Sequence, residues 1–334
     1  MRAVEDWLTA NVPSFRGPLS ATKFPWGQSN PTFRLESPSG RYVLRRKPMG
    51  TLLKSAHAVD REFRVQRALQ DTAVPVARMF ALCEDDAVIG SMFYVMEHVE
   101  GRNFDDPRVP EVEREERAAI YDSYNRSLAA IHTVDVEAVG LADFGRPGNY
   151  YARQIDRWTK QYRSSQTEDL QAMEELIAWV SGNQPPDDGL LTLVHGDYRM
   201  DNMLFAPDRP DCVAVLDWEL STLGHPYADL AAVLMQWRLP TGPRGRGLEG
   251  VDREALGIPS DDAFVERYCE RTGTPGIDRF NFYIAFSFFR MTAIIQGVKK
   301  RGLDGNASNP ERAAQVGAVV PMYAQRGLDA AHHG

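Results

Sequence analysis

One stretch of this 334-residue chain concentrates side chains that could do chemistry. His195-Gly196-Asp197-Tyr198-Arg199-Met200-Asp201-Asn202 follows the apolar run 190–194, and Met203-Leu204-Phe205 comes directly after it. An Asp and an Asn five positions apart, in a loop flanked by strands, can aim both side chains into one cleft. Further on, Val213-Ala214-Val215-Leu216 delivers Asp217, followed by Trp218-Glu219. Phosphoryl transfer from a nucleotide needs a carboxylate to accept or orient the attacking hydroxyl, and hard oxygen ligands for a magnesium ion that bridges the phosphates. Asp197 fits the first requirement, and Asn202 with Asp217 fits the second.

The elements that must position these residues can be read from periodicity. Short β-prone runs at 19–24, 32–37, 42–47, 79–83 and 93–99 are separated by turn residues, which predicts one sheet. A helix over about 54–70 interrupts them, with Val59, Phe63 and Leu69 on one face. Beyond Gly101 the pattern turns helical, as in Ile120, Tyr124, Leu128 and Ile131. Strands at 190–194 and 213–217, with a third at 202–205, punctuate that helical part. The stretch 239–260, rich in Gly, Pro and Arg, reads as a long surface loop. The aromatic run 280–298 is broken by Ser287, Arg290 and Gln296 and reads as a buried helix instead of a membrane span.

Together, H-G-D-x-x-x-x-N and a strand ending in L-D-W-E resemble the aminoglycoside phosphotransferase family, small-molecule kinases with a protein-kinase-like fold. The resemblance covers about residues 20 to 300. It implies an α+β, bilobal protein-kinase-like fold: a nucleotide-binding lobe over 1–97 with a small antiparallel sheet and one helix, a hinge at 98–101, and a mainly helical catalytic and substrate-binding lobe over 102–334. It also implies that Asp197 is the catalytic carboxylate and that Asn202 and Asp217 hold magnesium. Gly196 stands where protein kinases carry arginine, which favours the small-molecule branch.

In the third strand, Tyr42-Val43-Leu44-Arg45 occupies the place of a kinase V-A-I-K, with Glu62 as the acidic partner. Arginine replaces lysine there. It can hold phosphate bidentately and still pair with Glu62, while Arg46 and Lys47 should point to other faces or to the strand's end. The turn 25–30 lies where a phosphate-covering loop belongs, with Gly27 as its single glycine and Ser29 as a hydroxyl contact. Residues 96–99 would form the hinge, Glu97 and Val99 offering backbone groups to adenine. Gly224-His225-Pro226-Tyr227-Ala228-Asp229-Leu230-Ala231 resembles the family's G-x-P-x-x-D-L-A segment, in which the Asp is structural.

Composition narrows the function classes. Hydrophobic residues are 43% and charged residues 25%, the balance of a globular protein. A net charge of −8 argues against nucleic acid or an anionic membrane as the main partner. The charge is uneven: residues 1–100 carry 13 basic and 11 acidic side chains, the remainder 25 and 35. Cys83, Cys212 and Cys269 form no C-x-x-C pair, and the N-terminus shows no apolar signal-peptide core, so a reducing cytoplasm is expected. The G-x-G-x-x-G at 245–250 follows no strand, and no G-x-x-x-x-G-K-[ST] occurs.

The expected activity is therefore ATP- and magnesium-dependent phosphorylation of a hydroxyl on a small molecule. Val43-Leu44-Arg45-Arg46-Lys47-Pro48, together with His57-Ala58-Val59-Asp60-Arg61-Glu62, is similar to the kinase-like domains associated with acyl-CoA dehydrogenases. That similarity implies a hydroxyacyl-CoA or related acceptor, for which Arg244, Arg246 and Arg253 would make sense. Alternatives are an aminoglycoside kinase, a nucleotide-binding pseudokinase suggested by Arg45 and the single-glycine turn, and a two-metal phosphoesterase, which lacks its upstream D-x-H.

Overall fold

The computed structural model describes residues 1–25, 30–49, 58–242, 246–307 and 309–333. In chain order the elements are α1 (Arg2–Asn11), β1 (Ser20–Lys23), β2 (Thr32–Ser37), β3 (Gly40–Arg46), α2 (Val59–Leu69), β4 (Met79–Cys83), β5 (Phe93–Glu97), α3 (Arg114–His132), α4 (Tyr150–Ser165), α5 (Gln171–Gly182), β6 (Thr192–Val194), β7 (Met203–Phe205), β8 (Cys212–Val215), β9 (Thr222–Gly224), α6 (Tyr227–Trp237), α7 (Arg253–Leu256), α8 (Asp261–Thr272), α9 (Phe280–Leu303), α10 (Pro310–Gly317) and α11 (Val320–His333). They group into two compact units, one of Met1–Asp143, His195–Ser221 and Ala255–Ile258, the other of Phe144–Val194, Thr222–Glu254 and Pro259–Gly334.

In the first unit an antiparallel sheet runs in the order β1-β2-β3-β5-β4. Alternation along β3 gives the sheet two faces. Tyr42 and Leu44 join Leu35, Phe93 and Val95 in a core closed by Val4 and Leu8 of α1 and by Val12 and Phe15 after it. Val43 and Arg45 fall on the opposite face, where α2 packs on β4 and β5. Asp60 and Glu62 in the first turn of α2 complement its positive N-terminal end. Burying Val59, Val65 and Leu69 completely contributes about 1.5–3 kcal/mol each, enough to seat a charged residue among them. That residue is Glu62. The helix expected over 54–70 is described from Val59, residues 54–57 lying outside the described chain.

Two further pieces belong to this unit. Strands β7 and β8 pair as an antiparallel hairpin, Met203 opposite Val215, and α3 packs on β8. Tyr124 of α3 stacks on Tyr198, ring centroids 4.9 Å apart, and the Tyr198 hydroxyl donates to the Tyr124 carbonyl at 2.7 Å.

The second unit is built around the 24-residue α9, which packs against α4, α5, α6, α10 and α11. Its Phe282, Tyr283, Phe286, Phe288 and Phe289 are core residues. The 239–260 stretch departs from the surface loop expected of it. Pro240 and Glu249 form a parallel bridge, and Leu248 N–H donates to Trp237 O at 2.8 Å. Leu239 and Leu248 are buried, and α7 follows. Gly and Pro erase the periodic signal, but isolated apolar residues still bury once their backbone groups find partners. Cys83, Cys212 and Cys269 are unpaired thiols. Among the described residues, no helix is long and apolar enough to cross a membrane.

Candidate active site

Leu216 organises the loop that carries the predicted chemistry. Its N–H donates to the Asn202 carbonyl at 2.8 Å, extending the β7–β8 hairpin by one rung. Its carbonyl accepts from His195 Nε2 at 2.9 Å, and His195 Nδ1 accepts the Asp197 N–H at 3.3 Å. Placing the proton on Nε2 satisfies both contacts, so the fully buried His195 braces the loop. One residue thus fixes both ends of 195–202, and Asp217 follows it directly.

Gly196 is required by this arrangement. Its φ is +84°, and an added Cβ would lie 2.6 Å from Leu220 O, so neither alanine nor the arginine of protein kinases fits. Asp217 itself adopts the left-handed conformation, φ +62°, at the start of the 218–220 turn. Aspartate tolerates that region better than most residues.

Within the loop, Asn202 Nδ2 donates to the Asp197 carbonyl (3.0 Å) and to Asp197 Oδ2 (3.1 Å). The amide nitrogen therefore faces Asp197, and the amide oxygen is directed elsewhere. Arg199 Nε lies 3.3 Å from Asp197 Oδ1 and its Nη2 3.5 Å from Asp201 Oδ2. Burial would lower the Arg199 pKa, but Asp197 and Asp201 outweigh it and hold the guanidinium firmly charged.

The β3–α2 face supplies a second cluster. Arg45 stands opposite Tyr94 in the β3–β5 register, so both side chains share one face. Arg45 Nε lies 2.9 Å from Glu62 Oε2, and the Tyr94 hydroxyl donates to the same oxygen at 3.0 Å. Asn30 Nδ2 donates to Glu62 Oε1 at 2.9 Å. Burial pushes the Glu62 carboxyl up to about 7 even against Arg45 and the Tyr94 hydroxyl. Arg45 has its pKa raised, the attraction of Glu62 and Asp217 overcoming burial. Losing one partner of such a pair typically costs about 3–5 kcal/mol.

Arg45 also joins the two clusters. Its Nη2 donates to Asp217 Oδ1 at 2.9 Å and lies 3.5 Å from Glu219 Oε2. The structure therefore brings together Arg45, Glu62 and Asp217, and separately Asp197 and Asn202, with Leu216 linking the sets. Glu97 ends β5 as an exposed residue whose N–H donates to Arg78 O at 2.8 Å, and the half-buried Val99 follows two residues later. Gly27, Ser29 and Arg244 lie outside the described residues. Arg253 is taken up internally, paired with Asp261 Oδ1 at 2.7 Å and placed over the Trp237 ring, which removes it from the basic tip expected at 239–260.

Several contributors were not singled out by motif. Asn103 Nδ2 donates to Asp201 O (2.8 Å) and Met203 O (2.9 Å), bracketing Asn202 from behind. Arg102 exchanges backbone hydrogen bonds with Phe205, N to O at 2.7 Å and O to N at 2.8 Å, which stitches the chain leaving β5 onto β7. Gly101 permits this approach, since a Cβ there would stand 2.8 Å from Phe205 O. Asn30, Tyr94, Arg199 and Glu219 complete the set. Apart from those of Arg199, which lies two residues from both Asp197 and Asp201, their contacts cross many residues of sequence and leave no local pattern.

The oxygen donors fit magnesium. Among the described residues, no three His, Cys, Asp or Glu side chains cluster as a metal cage. One carboxylate and one amide oxygen suit an ion that takes its remaining ligands from phosphate and water.

Comparison with known proteins identifies the family. The sequence profile of the phosphotransferase enzyme family matches residues 20–283. Acyl-CoA dehydrogenase family member 10 of Mus musculus is 46% identical over 314 residues, which are 94% of this chain and 29% of that protein. Probable acyl-CoA dehydrogenase IBR3 of Arabidopsis thaliana is 45% identical over 338 residues, 96% of this chain and 41% of the relative. The chain thus spans less than half the length of these curated relatives. A Ralstonia eutropha crystal structure, described as a candidate aminoglycoside phosphotransferase, is 48% identical with a TM-score of 0.92, covering 99% of this chain and 97% of that one. The aminoglycoside phosphotransferase APH(4)-Ia, solved with ADP and hygromycin B, has a TM-score of 0.64 at 16% identity over 99% of each chain, a likeness of fold alone. The fold is the α+β, protein-kinase-like one of these phosphotransferases. The chain belongs to the phosphotransferase enzyme family, as a phosphotransferase acting on a hydroxyl group.

Proposed function

We propose that this chain transfers the γ-phosphoryl group of ATP, with magnesium, to a hydroxyl of an anionic small metabolite, a hydroxyacyl-CoA being the favoured class. The observation that carries the reading is the convergence on Asp217: Leu216 ties it to the Asp197–Asn202 loop, and Arg45 ties it to the β3–α2 face. Asp197 orients the acceptor hydroxyl and takes its proton as the oxygen attacks phosphorus. Asn202 and Asp217 would hold magnesium through oxygen. When bound, the ion screens the phosphate charge and aligns the leaving group.

Arg45, braced by Glu62, steadies the phosphates, with the 25–30 turn, including Gly27 and Ser29, closing over them. Glu97 and Val99 present backbone groups to the adenine ring. In this reading, residues 1–97 bind nucleotide, 98–101 form the hinge and 102–334 carry catalysis and the acceptor. The unpaired cysteines suit the reducing cytoplasm.

The acceptor class rests on the acyl-CoA dehydrogenase names of the relatives and on Arg244 and Arg246, which can pair with phosphate or carboxylate. A panel of hydroxylated metabolites, incubated with ATP and magnesium, tests it. A hydroxyacyl-CoA should exceed kanamycin in kcat/KM by about tenfold or more, that is ~1.4 kcal/mol of transition-state binding. Efficient aminoglycoside phosphorylation would overturn the acceptor assignment. Absence of ATP consumption with every acceptor, in protein that binds ATP, would overturn the activity.

A further inference from the structure

We propose that the second unit holds a binding site for an organic oxyanion, a carboxylate or phosphate carried on an apolar body, in the cavity bounded by α6, α9, α11 and the 248–253 segment. The cavity measures about 430 Å³, within the range of small-molecule sites, and its lining residues all belong to that unit. Trp237, Leu248 and Phe288 supply apolar surface, and Arg238, Arg253 and Arg326 line it as well.

Hydrogen bonds hold the walls in place. Leu248 N–H donates to Trp237 O at 2.8 Å and Glu249 N–H to Leu239 O at 3.1 Å, which lays the segment along the end of α6. Gly247 makes that approach possible, since a Cβ there would stand 1.8 Å from Leu239 O. From α11, Arg326 donates through Nη1 to Arg238 O at 2.6 Å and through Nη2 to Glu249 Oε2 at 2.7 Å. The first of these contacts offsets the negative end of α6, which would otherwise repel an anion.

Recognition falls to Arg253. Its guanidinium carbon lies 5.3 Å from the centre of the Trp237 ring, which holds it against one wall of the cavity. Nη1 is committed to Asp261 Oδ1 at 2.7 Å and Pro259 O at 3.5 Å. Among the described residues, Nε and Nη2 donate to no protein group. Those two nitrogens form one edge of the guanidinium, the edge that grips a carboxylate or phosphate through two parallel N–H···O bonds. Charge favours the same occupant. Asp261 also serves Arg238, whose Nε lies 3.1 Å from Oδ2, so one carboxylate answers two guanidiniums and a positive excess remains. The Arg253 side chain is only 21% exposed, which limits screening of that excess. The carboxylates that line the cavity, Glu249 and Asp329, are themselves engaged, by Arg326 and by Gln325 Nε2 at 3.1 Å.

The test reads the site by fluorine NMR of protein labelled with fluorotryptophan, the Trp237 resonance being identified with Trp237→Phe. Phenylpropionate should move that resonance saturably, at concentrations on the order of millimolar. Phenylpropionamide, which has the same shape without the charge, should bind about tenfold more weakly. Arg253→Gln should cost the acid about tenfold and leave the amide unchanged, whereas Val251→Phe, which fills the cavity and keeps every arginine, should weaken both. Equal affinities for acid and amide in the wild type, or acid binding untouched in both folded variants, would overturn the inference. A hydroxyacyl-CoA titrated in the same way separates two sources of the anion. If it moves the Trp237 resonance and Arg253→Gln weakens it, the site holds part of the acceptor; if the resonance answers phenylpropionate alone, the site serves a separate anionic effector. No turnover enters these readings, so failure of the proposed function would leave them standing.

Discussion

Gly196→Ala probes whether the loop bearing Asp197 is held at a fixed distance from the 218–220 turn. At φ +84° an alanine pays the left-handed penalty, about 1–2 kcal/mol. Its Cβ would also lie 2.6 Å from Leu220 O and 3.1 Å from Leu220 C and Cβ. Relieving an overlap of that depth costs about 1–3 kcal/mol, for a total loss near 2–5 kcal/mol. Gly140→Ala supplies the reference, since φ there is +72° and nothing lies within 4 Å of the new Cβ. Only the conformational part is expected of it. Equilibrium unfolding in urea, followed by tryptophan fluorescence, measures both, and their difference isolates the contact with Leu220. Activity should fall as well, because the Asp197 N–H is anchored on His195 Nδ1 at 3.3 Å and moves with its neighbour. A shift on the order of 1 Å can cost about 10²-fold in turnover. If Gly196→Ala matches Gly140→Ala within about 0.5 kcal/mol and keeps full turnover, the loop is not clamped as described.

Asp197→Asn should lower phosphoryl transfer by about 10²–10⁴-fold while leaving nucleotide affinity intact, and near-normal turnover would remove Asp197 as the base. Since burial raises Glu62 to about 7, nucleotide affinity should rise with pH through that value as the carboxylate forms and braces Arg45. The stability effect has the opposite sign: the folded state holds this proton more tightly than the unfolded chain, so the stabilisation is full below about 4.5 and lost as pH rises through about 7. Glu62→Gln should flatten both profiles, and an unaltered affinity profile in that variant would place the titration elsewhere. Asn103→Ala, which frees the Asp201 and Met203 carbonyls, should raise the magnesium concentration needed for half-maximal nucleotide binding severalfold; a fall in melting temperature alone would make Asn103 structural only.

The front sheet was largely legible in the sequence because its strands are bounded by turn residues and alternate cleanly. The expected 32–37 and 79–83 are β2 and β4 as found, and β3 and β5 differ only at their ends. That alternation also set Arg46 off the face that carries Arg45, and Asp197, Asn202 and Asp217 were legible as loop or strand-end residues beside the short strands expected at 190–194, 202–205 and 213–217, whose pairing was not. What escaped was whatever depends on contacts remote in sequence. Asn103 meets carbonyls about 100 positions away, Asn30 belongs to a turn by composition yet serves Glu62, and Leu216 is a featureless apolar residue whose backbone does the organising. Leu239 and Leu248 escaped for another reason, since Gly and Pro around them erase the period that marks a buried face.

The reciprocal bonds between Arg102 and Phe205 bear on how this unit opens. Each residue donates the amide that the other accepts, so neither amide becomes accessible to solvent unless the pair separates. Hydrogen exchange at the two positions should therefore proceed at one shared free energy of opening, as within a cooperative unit. The connection after β5 and the strand after Asn202 would then unfold as one piece, and a ligand that orders either should slow exchange at both.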